Sequence, residues 1–137
     1  MAKFDLQGAE RELVQCRKAA KHGDPEAQFW LGARYYEGDD AAQSYEGAAI
    51  WFRKAAMQGM AEAQFCLGCM YAEGEGVAQD DEEAVLWFRK SAEQGDFEAQ
   101  FNLGMMYERG RGVPQSYRDA AYWYRKAAEK RTPREIA

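Results

Sequence analysis

AQFWLG at Ala27–Gly32, AQFCLG at Ala63–Gly68 and AQFNLG at Ala99–Gly104 stand 36 residues apart. The same interval relates Tyr35, Tyr71 and Tyr107, then Gly38, Gly74 and Gly110, then Ala48, Ala84 and Ala120, then Trp51, Trp87 and Trp123. WFRKAA at Trp51 returns as WFRKSA and WYRKAA. A period sustained over most of a chain demands that each unit bury its apolar face against the next, so the core runs along a stack instead of closing on itself. Arg17, Lys18, Ala19 and Ala20 precede Arg53, Lys54, Ala55 and Ala56 by the same interval, with Gln15 in the tryptophan position. The expected organisation is one domain over 1–137: a half-repeat at 1–24, full units at 25–60, 61–96 and 97–132, and a tail at 133–137 in which Pro133 stops the last helix.

Each unit reads as two helices. Gly23 suits a left-handed helix end, Asp24 a cap and Pro25 the first helical turn, where its missing N–H costs nothing. Ala27, Leu31 and Tyr35 recur at intervals of four along one helical face. Gly38 ends this first helix, and Ser44, Asp80 or Ser116 caps the second, with Asp80 and Glu83 at capping-box spacing. Ala48, Trp51, Phe52 and Ala55 point inward from that second helix. Gly32, Gly68 and Gly104 cost a helix interior about 1 kcal/mol relative to alanine; the expected compensation is close contact, with the large tryptophan of the second helix lying over the missing side chain. No stretch alternates as a strand does. The fold predicted is all-α, a right-handed superhelical α-solenoid of antiparallel helix pairs with 36-residue repeats.

These residues resemble the Sel-1-like repeat, a tetratricopeptide-like unit with the pattern A…LG..Y..G.GV…A..W..KAA..G. The match covers residues 25–132, plus a half-repeat at about 9–24. It departs at Asp40 and Ala41, which replace the Gly-Val of Gly76–Val77 and Gly112–Val113, and at Arg131, which replaces the terminal Gly. The resemblance implies an adaptor or scaffold that holds another protein or peptide in a concave groove without catalysis of its own. Some cysteine-rich bacterial members are linked to penicillin binding or β-lactam hydrolysis, but their regular pairing of cysteines between the two helices of a repeat is missing here.

With Leu31 facing the core, Glu26, Phe29, Ala33 and Tyr36 lie about 140–160° away around the helix and Trp30 about 100° away. The corresponding positions in the second unit are Glu62, Phe65, Cys66, Cys69 and Ala72, and in the third Glu98, Phe101, Asn102, Met105 and Glu108. All of these except Ala72 and Glu108 are the candidate partner-binding residues. Trp30, Cys66 and Asn102 are the one variable letter of the repeated phrase, and Trp30, Tyr36 and Met105 do not recur as repeated packing would require. Phe29, Phe65 and Phe101 do recur, which also fits packing between adjacent first helices. An apolar floor beside Glu26, Glu62 and Glu98 suits a peptide with apolar anchors and basic residues, although a carboxylate in a first helical turn is also favoured by the helix dipole.

The charge balance, 18 basic against 23 acidic residues for a net charge of −5, argues against nucleic acid and anionic lipid as partners. No apolar run reaches the ~20 residues of a membrane span, and the start lacks the apolar region of a signal peptide. The expected location is cytoplasmic, or periplasmic or secreted if a signal peptide has been removed. Cys66 and Cys69 have C-x-x-C spacing but fall mid-helix, away from the N-terminal end that stabilises a thiolate. Cys16 and His22 add too little for a zinc site. There is no S-x-x-K motif, and the Gly-rich turns lack the Lys-Ser or Lys-Thr of a phosphate loop. Arg53, Arg89 and Arg125 with Lys54, Lys90 and Lys126 read as a solvated outer face. No catalytic residue, metal or cofactor is expected. The leading function is a non-catalytic protein–protein interaction adaptor; the alternatives are a β-lactam-binding or hydrolysing repeat protein, and a structural spacer that self-associates through the ends of its stack.

Overall fold

A computed structural model of the chain describes residues 6–38 and 43–129. Seven α-helices and no strand occur among them: α1 (Leu6–Lys21), α2 (Pro25–Glu37), α3 (Tyr45–Met57), α4 (Ala61–Glu73), α5 (Asp81–Glu93), α6 (Phe97–Arg109) and α7 (Tyr117–Glu129). The first helices α2, α4 and α6 pack most extensively on the second helices α3, α5 and α7 of the same unit, and each second helix then packs on the next first helix. The protein is an α-solenoid. The departures at Asp40, Ala41 and Arg131, and the tail with Pro133, lie outside the described residues.

Turn chemistry sets the helix boundaries. Gly38, Gly74 and Gly110 end the first helices in the left-handed conformation at φ 74°, 71° and 65°, so Gly38 keeps the geometry of its counterparts despite the sequence departure at Asp40 and Ala41. Ser44 Oγ accepts from the Gly47 N–H, Asp80 from those of Glu82 and Glu83, and Ser116 from that of Asp119. Asp24 differs from expectation: it stands before α2 in extended conformation, but its side chain makes no capping bond. Asp96 in the same position caps α6 through the Ala99 N–H.

The helical glycines do mark close approach, but the partner is not tryptophan. A methyl group on Gly32, Gly68 or Gly104 would meet the ring of Phe52, Phe88 or Tyr124 at 2.6, 2.7 and 2.8 Å. The aromatic residue after each tryptophan therefore locks the antiparallel pair. The tryptophan itself packs where its own first helix meets the preceding unit: Trp51 clusters with Ala20, Ala27 and Leu31, Trp87 with Ala55, Ala56, Ala63 and Leu67, and Trp123 joins the cluster that includes Ala92, Ala99 and Leu103. One hundred degrees of rotation around the second helix separates these tasks.

The basic ladder also divides. Arg53 and Arg89 are half-buried and donate to the hydroxyls of Tyr71 and Tyr107 on the following first helix, their guanidinium groups 5.5 and 5.6 Å from those ring centres. They are clamps between units and not part of a solvated face. Lys54, Lys90 and Lys126 stay exposed as expected. The turns reach back as well: the Glu75 carboxylate accepts from Tyr36, and Arg111 grips Asp81 through two bonds and the Ala72 carbonyl through a third.

Candidate interaction surface

The phrase AQFxLG separates into buried and open letters. Ala, Gln, Leu and Gly are buried in all three units. The glutamine amides have a packing role invisible in the sequence: Gln28, Gln64 and Gln100 donate to the Ala20, Ala56 and Ala92 carbonyls of the preceding second helix at 3.0, 3.1 and 3.1 Å. Gln58 and Gln94 in turn donate to the side-chain oxygens of Gln28 and Gln64. Gln100 Oε1 is buried with no partner among the described residues; the residue in register with Gln58 and Gln94 is Lys130, outside the described region.

The variable letter is less buried, exposed at Trp30 and half-buried at Cys66 and Asn102. Trp30 is 36% exposed with the Arg34 guanidinium 4.8 Å above its ring. Cys66 is half-buried against the cluster of Ala48, Ala49, Phe52 and Met70, and the half-buried Asn102 amide donates to Cys69 Sγ at 3.8 Å. Burial pushes the Cys66 and Cys69 thiols up to about 12, with neighbouring carboxylates adding to the shift. At neutral pH they are thiols, poor nucleophiles and poor metal ligands. Among the described residues no group of three or more His, Cys, Asp or Glu is placed to hold a metal ion.

The other candidates separate by environment. Phe29 and Phe65 are half-buried, their ring centres 5.5 and 5.9 Å from Phe52 and Phe88 of the same unit, and each also packs against a cluster that continues into the next unit. Phe101 is 51% exposed beside Tyr124. Tyr36 stacks on Tyr45 and donates to Glu75 at 2.9 Å; burial first and then that bond raise its hydroxyl to about 12. Ala33 and Met105 are half-buried, while Glu26, Glu62 and Glu98 are exposed in the first turns.

Four candidates meet in one place. Phe65, Phe101 and Asn102 line a cleft of about 590 Å³ with Tyr124 and Ala127, and Glu98 and Glu108 are its only charged walls among the described residues. Tyr124 was absent from the expected set because a single-helix projection cannot show a residue of the second helix reaching the first-helix face. Its signal was the change from Phe at 52 and 88 to Tyr: the hydroxyl donates to Glu108 at 2.6 Å at the mouth of the cleft. Trp30 and Tyr36, on α2, do not line this cleft.

The Sel1 repeat profile matches residues 25–60, 61–96 and 97–131. The chain belongs to the Sel1 repeat family. Solved bacterial structures agree. The protein is 42% identical to c5321, a protective antigen present in uropathogenic Escherichia coli strains and displaying an SLR fold, over 88% of this chain at a TM-score of 0.84; it spans 26% of that protein. A Sel1 repeat protein from Oxalobacter formigenes is 39% identical over 92% of this chain and 95% of its own, at a TM-score of 0.81. Helicobacter pylori cysteine rich protein B shares the fold at 18% identity and a TM-score of 0.67, over 90% of this chain and 94% of its own. No curated protein matches. Sel1 repeats generally serve as protein-interaction scaffolds. No helix among the described residues is long and apolar enough to cross a membrane.

Proposed function

We propose that this Sel1 repeat protein is a non-catalytic adaptor that holds a segment of a partner protein across the open face of α2, α4 and α6. The observation carrying this reading is the split inside AQFxLG, whose constant Ala, Gln, Leu and Gly are buried in every unit and whose variable letter is exposed at Trp30 and half-buried at Cys66 and Asn102. Packing constrains the first set, and the second is free to be specified by a ligand. Trp30 and Phe101 supply apolar anchor points, Met105 and Cys69 a softer floor, and Glu26, Glu62 and Glu98 one acidic edge. A segment with spaced apolar anchors and basic residues fits that chemistry.

The test is a retention experiment from source-cell lysate with the native protein and a Trp30→Glu, Met105→Glu variant of equal helicity by circular dichroism. The adaptor reading expects a protein retained by the native chain and lost by the variant. Equal retention by both would place binding elsewhere on the molecule, and retention by neither would contradict an adaptor role.

A further inference from the structure

On the second helices, at the side turned away from the first helices, one position is apolar in every unit: Val14, Ile50, Leu86 and Tyr122, 36 residues apart and between 47% and 57% exposed. Each lies about 160° around its helix from the inward residue two places on, Cys16, Phe52, Phe88 or Tyr124. Four residues before the row stand Glu10, Glu46 and Glu82, and four after it Lys18, Lys54, Lys90 and Lys126, all exposed. Residues four apart on a helix are neighbours at about 5–6 Å. The outer face therefore carries three parallel rows along the stack: acidic, apolar and basic. Only α7 departs, with Arg118 in the acidic position.

Scattered apolar side chains on a surface need no explanation, but one exposed at the same helical position in every unit does. The identity changes at every unit, from Val to Ile to Leu to Tyr, while a mainly apolar side chain persists at an exposed position. The lysines are held in place beside the stripe: the Lys54 and Lys90 ammonium groups lie 4.9 and 4.8 Å over the Trp51 and Trp87 rings.

We propose that this face binds a second copy of the chain about a two-fold axis running parallel to the stack. That rotation keeps the order of the units and reverses the direction of every helix. Each glutamate row is thereby laid on the partner's lysine row, and the apolar row on itself. The surface is self-complementary in the way an isologous dimer requires. Helices meeting in the same direction would instead set Glu against Glu and Lys against Lys. In the proposed dimer the two first-helix faces point away from one another, so the pair presents two partner sites and gains by avidity.

Light scattering and sedimentation equilibrium of the full chain test this. The expected result is a dimer at concentrations of about 10–100 μM, weakened at least about tenfold by Ile50→Glu with Leu86→Glu, and by raised salt. Charge reversal gives the sharper arm. A Glu46→Lys, Glu82→Lys variant and a Lys54→Glu, Lys90→Glu variant should each fail to dimerise alone and should form a mixed dimer when combined. All these positions are exposed, and unchanged circular dichroism establishes that the variants fold. The proposal is overturned by a monomer throughout that range, by a dimer indifferent to the Ile50→Glu, Leu86→Glu change, by absence of the mixed dimer, or by a dimer dissolved instead by Ala128→Glu at the end cleft.

Discussion

At the scale of single residues, fit between neighbouring units decides which letters are fixed. A Cβ on Gly68 would sit 2.7 Å from the ring of Phe88, which is itself fully buried. Overpacking of this kind costs about 1–3 kcal/mol, and the better helix propensity of alanine returns only about 1 kcal/mol. Gly68→Ala is therefore expected to lower the urea midpoint without changing the slope, and an equal or higher midpoint would refute the contact. Cys66 and Cys69, raised to about 12 from an ordinary value of 9.0, should be alkylated at pH 8 at least about 100-fold more slowly than in the unfolded chain. The sequence showed that the glycines mark close contact and that the cysteines sit mid-helix. It did not show that Phe, and not Trp, meets the glycine. Both rings point inward from the second helix, and a projection of one helix carries no information on which neighbour each one reaches.

At the scale of elements, the repeat couples through polar bonds that cross between units. Gln64 joins α4 to the Ala56 carbonyl at the end of α3 and receives Gln94 from the end of α5. Gln64→Leu removes both bonds and leaves the Gln94 amide without that acceptor, at an expected cost of about 1–3 kcal/mol, read as a drop in denaturation free energy that Gln79→Leu on the surface does not reproduce. Gly76 shows the same coupling through backbone. It stands at φ 73°, and a Cβ there would lie 2.2 Å from the Tyr45 carbonyl oxygen at the start of α3. The Gly-Val turn was legible as a turn; that it rests on the preceding unit was not, because the sequence gives the period of the stack without the contacts between its copies. Arg53 and Arg89 illustrate this. Their interval placed them on the second helices, but only the stacked geometry brings them to the Tyr71 and Tyr107 hydroxyls.

At the scale of the whole molecule, the period made the solenoid legible, while the end cleft and the outer apolar stripe emerged only when exposure could be compared unit by unit. Titration offers one global check. Cys66, Cys69, Tyr36 and Tyr124 all hold their protons more tightly when folded, chiefly through burial. Their contribution is complete below the unfolded values of 9.0 for Cys and 10.0 for Tyr, and is lost as pH rises toward about 12. Stability should thus decline between pH 9 and 12 in a manner that Cys66→Ala with Cys69→Ala moderates. For function, the open face of α2, α4 and α6 is proposed to receive the partner. The most direct measurement is amide NMR of the labelled protein titrated with the retained partner's segment. Shifts centred on Trp30, Cys66, Asn102 and Met105 are predicted; shifts confined to the outer face around Ile50, Leu86 and Met57 would contradict it.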